Sequence, residues 1–178
     1  MPHVDHLTCT PDACRFKLYN ADVSVANALR RACHQDVPTL AMEHVSVDKN
    51  TSNYPDEMIA HRLGLIPLRG DVMQFVEESD CEWAQCEACT TVATLDVTCT
   101  APSMDVTPAH FTWDEPDIGP VEPDMAIVPL LHGQTLKLHV LITRGTGRMH
   151  AKWNPCSRVL LQHTADGFDM EVKSCGQH

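Results

Sequence analysis

The chain has 178 residues, 43% of them hydrophobic and 21% charged, enough to bury one substantial core or two modest ones. Its 24 acidic and 13 basic side chains leave a net charge of −11, which excludes phosphate binding as the main business of the whole surface, since nucleic acid is held by a basic excess. No apolar run approaches a membrane span, and the opening MPHVDHLTCT lacks the basic-then-apolar order of a signal peptide, so a protein kept inside the cell is expected.

Along the chain, CRFKLY (14–19) alternates as a half-buried strand does. A helix is expected over 22–36, with Asn20 or Asp22 as its cap. Val25, Ala28, Leu29, Ala32 and Cys33 recur there at helical spacing, with Asn27, Arg30, Arg31 and His34 off the stripe, and Pro38 stops it. HVSV (44–47) reads as a short strand.

SNYPDEMIAHRLGLIPL marks a second helix. Pro55 suits its first turn, Asp56 and Glu57 complement the positive end of the dipole, Gly64 closes it and Pro67 prevents continuation. His61 and Arg62 fall in the last turn, where a basic residue is favourable without any chemistry.

VATLDVTC (92–99) alternates again, and residues 101–124, with five prolines and six acids, read as a connector rather than a core element. QTLKLHVLI (134–142), RVLLQH (158–163) and FDMEV (168–172) complete the strands. Two helices among at least six strands, joined by turns instead of crossover helices, predict an α+β fold with mainly antiparallel sheet.

Three features invite chemistry. CEWAQCEAC places thiols at Cys81, Cys86 and Cys89, and the last two have the spacing of a zinc knuckle. Structural zinc, unused thiols and a redox pair are the three readings, although a thioredoxin-like βαβ context is missing. The other six cysteines are scattered singly; without a secretory signal they are expected as small core residues, not a disulfide scaffold.

RGTGRMHAKWNP (144–155) surrounds Gly145 and Gly147 with Arg144, Arg148, His150 and Lys152. It lacks the third glycine of a phosphate loop, so it reads as a tight turn with a basic rim, with Trp153 as a candidate anchor for a partner chain. The eleven histidines form no H-E-x-x-H array, and no nucleophile elbow or Walker loop is present. Binding or scaffolding is therefore favoured over catalysis. A metal-dependent enzyme built on the three thiols and nearby histidines is the third reading.

DVSVANALRRACHQDVPTLA followed by NTSNYPDEMIAHRLGLIPL closely resembles one family: the third-largest subunit of eukaryotic RNA polymerase II, its archaeal counterpart and the amino-terminal domain of the bacterial alpha subunit. IVPLLHGQTLKL and GTGRMHAKWNP are similar to later motifs of that family in the same order, so the resemblance covers about residues 14–175.

It implies a non-catalytic assembly platform of a DNA-directed RNA polymerase, acting in the nucleus or as part of a viral polymerase. An alpha-subunit-like dimerisation domain is expected from residues 1–40 and 157–178. An inserted, mainly antiparallel β domain is expected from 41–156, with a cysteine loop at 78–92. The implied partners are a smaller alpha-like subunit, the second-largest subunit and two small subunits, with DNA and RNA reached only through the complex. Alternatives are the related subunit shared by polymerases I and III, or a free-standing regulatory binding module reusing the fold.

Carried over by residue, Val25, Leu29, Ala32 and Cys33 belong to the pairing helix. Arg30 and Arg31 match the family's N-A-L-R-R near the large subunits. His150, Lys152 and Trp153 match a basic turn that contacts another subunit, and His61, Arg62, Leu63, Gly64 and Pro67 match the insert's most regular motif. The polymerase II type holds one structural zinc ion through C-x-C-x3-C-x2-C. Here Cys81, Cys86 and Cys89 match the first, third and fourth ligands, Trp83 replaces the second, and the spacing is one residue short. The resemblance also places a long C-terminal pairing helix beyond FDMEVKSCGQ, so a reduced, viral or truncated form is implied.

Overall fold

The computed structural model describes residues 1–82 and 85–177. In chain order it contains β1 (His3–Cys9), β2 (Ala13–Tyr19), α1 (Val23–Gln35), β3 (Thr39–Asn50), α2 (Asp56–Gly64), β4 (Leu68–Arg69) and β5 (Thr90–Thr98). There follow β6 (Ser103–Val106), β7 (Thr112–Trp113), β8 (Gly119–Pro120), β9 (Val128–Leu131), β10 (Thr135–Gly145), β11 (Cys156–Thr164) and β12 (Gly167–Ser174). Helices and antiparallel sheets make the fold α+β, as the sequence pattern implies.

The chain divides into two compact units, one of residues 1–39 and 146–177, the other of residues 40–145. The first is a four-stranded sheet in the order β1-β2-β12-β11 with α1 on one face. Its pairings are antiparallel and mostly regular, Leu18 standing opposite Phe168 and Phe16 opposite Met170. Alternation then puts Leu18 and Phe168 on the helix side, where they bury with Ala26. The opposite face is polar. There Glu171 accepts from Arg15 Nη2 at 3.0 Å and from Arg158 Nη2 at 2.7 Å.

The second unit holds the larger core. Its main sheet runs β3-β10-β5-β7, with the two-stranded pairs β4–β8 and β6–β9 beside it. Strand β10 pairs with β5 without a break from Thr135↔Thr98 to Thr143↔Thr90. Leu136, Leu138, Val140 and Ile142 alternate into the core, while Lys137 and His139 face out toward Asp96 and Asp48. Ile59 and Leu63 of α2 pack into the same core. Most of the acidic side chains lie in this unit and most of the basic ones in the other, so the net negative charge belongs to residues 40–145.

Several expectations need correction. The acidic, proline-rich stretch 101–124 is more than a connector. It supplies β6, β7 and β8, and Val106, Phe111 and Ile118 enter the core. Gly64 closes α2 without a left-handed turn; it is the last helical residue and is buried, and Leu65 N–H returns to the Arg62 and Leu63 carbonyls. HVSV is the middle of a twelve-residue strand.

Residues 146–156 pack within the compact unit that also holds the two ends of the chain. Backbone and side-chain bonds hold them there. Arg148 N–H donates to Gln35 O at 3.2 Å, Thr39 Oγ1 to Trp153 O at 2.9 Å, and Cys156 Sγ to Cys33 O at 3.3 Å.

Candidate interface and metal site

Helix α1 begins at Asp22, whose carboxylate accepts Val23 N–H at 2.7 Å and Ser24 Oγ–H at 3.0 Å, satisfying donors that the first turn leaves open. Only Ala26 is fully buried along the helix. Leu29 and Cys33 are half-buried, whereas Val25 is 43% exposed and Ala28 is exposed. Each residue advances the helix by about 100°. The apolar stripe through Val25, Leu29 and Ala32 is therefore turned about a quarter of the circumference away from the line that Ala26 presents to its own sheet. The sheet half-covers Leu29 and Ala32 and leaves Val25, at the far edge of the stripe, exposed.

The two arginines differ. Arg30 is tied to its own helix, its Nε and Nη2 donating to Asn27 Oδ1 at 3.1 and 2.9 Å, and Arg31 is exposed.

The basic turn closes the other end of α1. Its backbone lies so near the helix terminus that a Cβ on Gly147 would collide with the His34 carbonyl. Arg148 Nε pairs with Asp36 Oδ1, and that hydrogen bond holds the Asp36 carboxyl below its ordinary range. His150 is exposed and its Nδ1 accepts Lys152 N–H at 3.1 Å. The Lys152 ammonium stands 4.6 Å from the centre of the Trp153 ring, and partial burial lowers its pKa.

Trp153 itself is only 4% exposed. The neighbouring charges suggest a surface anchor, but the short turn Ala151–Trp153 swings the indole inward. In this structure it is an interior support, while His150 is exposed and Lys152 half-buried.

The three clustered thiols do come together. Cys81 Sγ lies 3.1 Å from Cys86 Sγ, which lies 3.7 Å from Cys89 Sγ, and all three fall within 4.8 Å of one another. The Cys86 carbonyl accepts the N–H groups of Cys89 and Thr90 at 3.0 and 2.9 Å, so the loop turns directly into β5. A hydrogen bond from Cys81, with further ones from the Ala88 and Cys89 backbone and the Cys89 thiol, lowers the Cys86 pKa. Three converging soft donors suit a thiophilic ion such as zinc. A fourth ligand does not join them among the described residues. Trp83, aligned with the missing thiol, lies outside the described residues.

Of the scattered cysteines, Cys99 and Cys156 are buried as small core residues, and burial pushes the Cys156 thiol up to about 11. Cys9 and Cys14 break the expectation: they are joined as a disulfide across the β1–β2 hairpin. Their pairing needs the hairpin register, which a reading that starts at residue 14 does not supply.

The described residues thus combine an α+β fold, a half-covered helical stripe, a polar sheet face and a thiol cluster. Residues 45–159 match the family described as the RNA polymerase Rpb3/RpoA insert domain. The chain belongs to this family.

It is 38% identical over 174 residues to the DNA-directed RNA polymerases II, IV and V subunit 3 of Arabidopsis thaliana, covering 87% of this chain and 54% of that protein. Against the DNA-directed RNA polymerase II subunit rpb3 of Dictyostelium discoideum it is 38% identical over 166 residues, 86% of this chain and 55% of that one. The DNA-directed RNA polymerase subunit Rpo3 of Methanopyrus kandleri is 37% identical over 158 residues, 87% and 56% of the two chains. The chain thus spans about half the length of the curated relatives it matches.

Proposed function

We propose that the chain serves as a non-catalytic assembly platform of a DNA-directed RNA polymerase, of the polymerase II type, working in the nucleus. The family membership supports the complex, and one observation supports the role: the chain's own packing leaves the apolar stripe of α1 only half-covered, with Val25 43% exposed. A smaller alpha-like subunit pairs there through Val25, Leu29, Ala32 and Cys33, with Arg30 and Arg31 beside the large-subunit contact. His150 and Lys152 rim a second contact. The second-largest subunit and two small subunits dock on the pair, and DNA and RNA are met only through the assembled enzyme.

In the same reading residues 1–40 and 157–178 are the dimerisation domain and residues 41–156 the insert, which the family match over residues 45–159 supports. One zinc ion held by Cys81, Cys86 and Cys89 stiffens the insert's loop and supplies no chemistry to transcription. Purification of the native chain tests the proposal. Stoichiometric recovery with the large polymerase chains is the expected result. Recovery with substoichiometric, unrelated partners would replace it with a free-standing binding module.

A further inference from the structure

We propose that Cys9 and Cys14 form a thiol–disulfide switch that locks or releases the edge strand β1. The two residues face each other at the closed end of the β1–β2 hairpin, with Cα atoms 4.2 Å apart and the sulfurs bonded. Cys9 is exposed and Cys14 half-buried, so a small reagent reaches the pair. The turn between them is built independently of the sulfurs: Thr10 N–H donates to Ala13 O at 2.7 Å, and Ser174 N–H donates to Asp12 O at 2.9 Å. The turn therefore keeps the two thiols near enough to close again after reduction.

What the bond controls follows from the sheet order. Strand β2 lies between β1 and β12, but among the described residues β1 pairs with β2 alone, and all seven of its residues are exposed. The β1–β2 register is broken between Asp5 and Thr8, where His6 takes a positive φ of 53°. Beyond that break the strand end depends on two residue pairs, Thr8–Arg15 and Cys9–Cys14. Without the covalent tie these two pairs are held by the turn and the ladder alone, and an exposed edge strand with few tertiary contacts opens at little cost. With it, β1 stays in place, and Val4 keeps its position opposite buried Leu18.

The chemistry balances by exchange with glutathione disulfide. The Cys9 thiolate attacks one glutathione sulfur, forming a mixed disulfide and expelling one glutathione thiolate. The Cys14 thiolate then attacks the Cys9 sulfur and expels the second. Two protein thiols lose two electrons, and two glutathione thiols carry away the two protons. Inside cells such bonds are transient and responsive instead of permanent scaffolding.

The full chain is equilibrated across a series of reduced-to-oxidised glutathione ratios, alkylated, and mapped by mass, with amide exchange followed in parallel. The oxidised form is expected to lose two alkylatable thiols, at Cys9 and Cys14. Amides of residues 4–9 should exchange about tenfold more slowly or less in that form than in the reduced one, while β2 amides bonded to β12 change little. Cys9→Ser and Cys14→Ser should each exchange like the reduced chain at every ratio. Full alkylation of Cys9 and Cys14 at every ratio, or equal β1 exchange in the two states, overturns the proposal.

Discussion

The backbone of Gly147 rests against the carbonyl of His34, in a space where no Cβ fits. That approach lets Arg148 N–H reach Gln35 O at 3.2 Å and satisfy a carbonyl that the end of α1 leaves open. Gly147 has no positive φ, so its smallness matters here, not its backbone freedom. Gly147→Ala should destabilise the protein by about 1–3 kcal/mol, as overpacking against rigid backbone does. Gly119→Ala, with nothing within 4 Å of the added methyl, should stay within about 0.5 kcal/mol. Chemical denaturation of the two variants checks the contrast, and equal effects would remove the steric argument.

Glu171 gives a pH dependence with a definite sign. The hydrogen bond from Arg15, then the charges of Arg15, Arg158 and Lys173, lower its pKa in the folded chain. A depressed folded pKa contributes stability above the unfolded value, about 4.3 for glutamate, and that contribution is lost as pH falls through the folded pKa. Stability should therefore decline with a steeper acid limb in the parent than in Glu171→Gln. Denaturation midpoints followed from pH 6 downward decide it; parallel acid limbs would show that the arginine pair adds nothing.

Trp153 shows why some of the site is hidden from sequence reading. Beside Lys152 and His150 the indole looks like a surface anchor, but whether a three-residue turn points its ring in or out depends on contacts made after folding. Trp153→Ala should cost about 3–5 kcal/mol of stability. His150→Ala and Lys152→Ala should leave the denaturation midpoint nearly unchanged while weakening recovery of large subunits. If both surface variants recover those subunits fully, the turn serves α1 alone.

The legible parts carried local punctuation. Asp22 and Pro38 bracket α1, Pro55 and Pro67 bracket α2, and the alternation of β10 needs no tertiary information. Strand β1 escapes because every residue in it is exposed, so no apolar alternation marks it. In 101–124 the prolines and acids mask Val106, Phe111 and Ile118, single apolar residues each buried by a separate short strand or turn. Cysteines follow the same rule: Cys86 and Cys89 carry a recognisable knuckle spacing, whereas Cys9 and Cys14, five residues apart like Cys81 and Cys86, have no such motif and meet through strand register.

The thiol cluster makes a separate prediction. Freshly reduced, purified protein should carry close to one zinc per chain, and Cys86→Ser should release it, because two remaining thiolates are too few to hold a structural ion. Exchange should then rise in residues 78–92 while assembly persists. Elemental analysis that finds no metal in the parent would leave the three thiols without a ligand role.

The decisive test of the platform concerns the quarter-turn offset on α1. Leu29 is half-buried and shares the chain's own packing, so Leu29→Asp burdens the fold as well as any interface. Val25 sits one helical turn earlier and is 43% exposed, so a carboxylate there is hydrated in the isolated chain. On pairing, the same carboxylate would be stripped of water without a partner, at a cost of several kcal/mol. Val25→Asp should therefore keep the parent's denaturation midpoint yet fail to recover the smaller alpha-like subunit and, through it, the large ones. Leu29→Asp should lose both stability and pairing. Light scattering adds a second reading, since the unpaired parent, with Val4, Val23 and Val25 exposed, should self-associate, and Val25→Asp should reduce that association. A folded Val25→Asp chain that still binds the smaller subunit at parental affinity would move the interface off this helix.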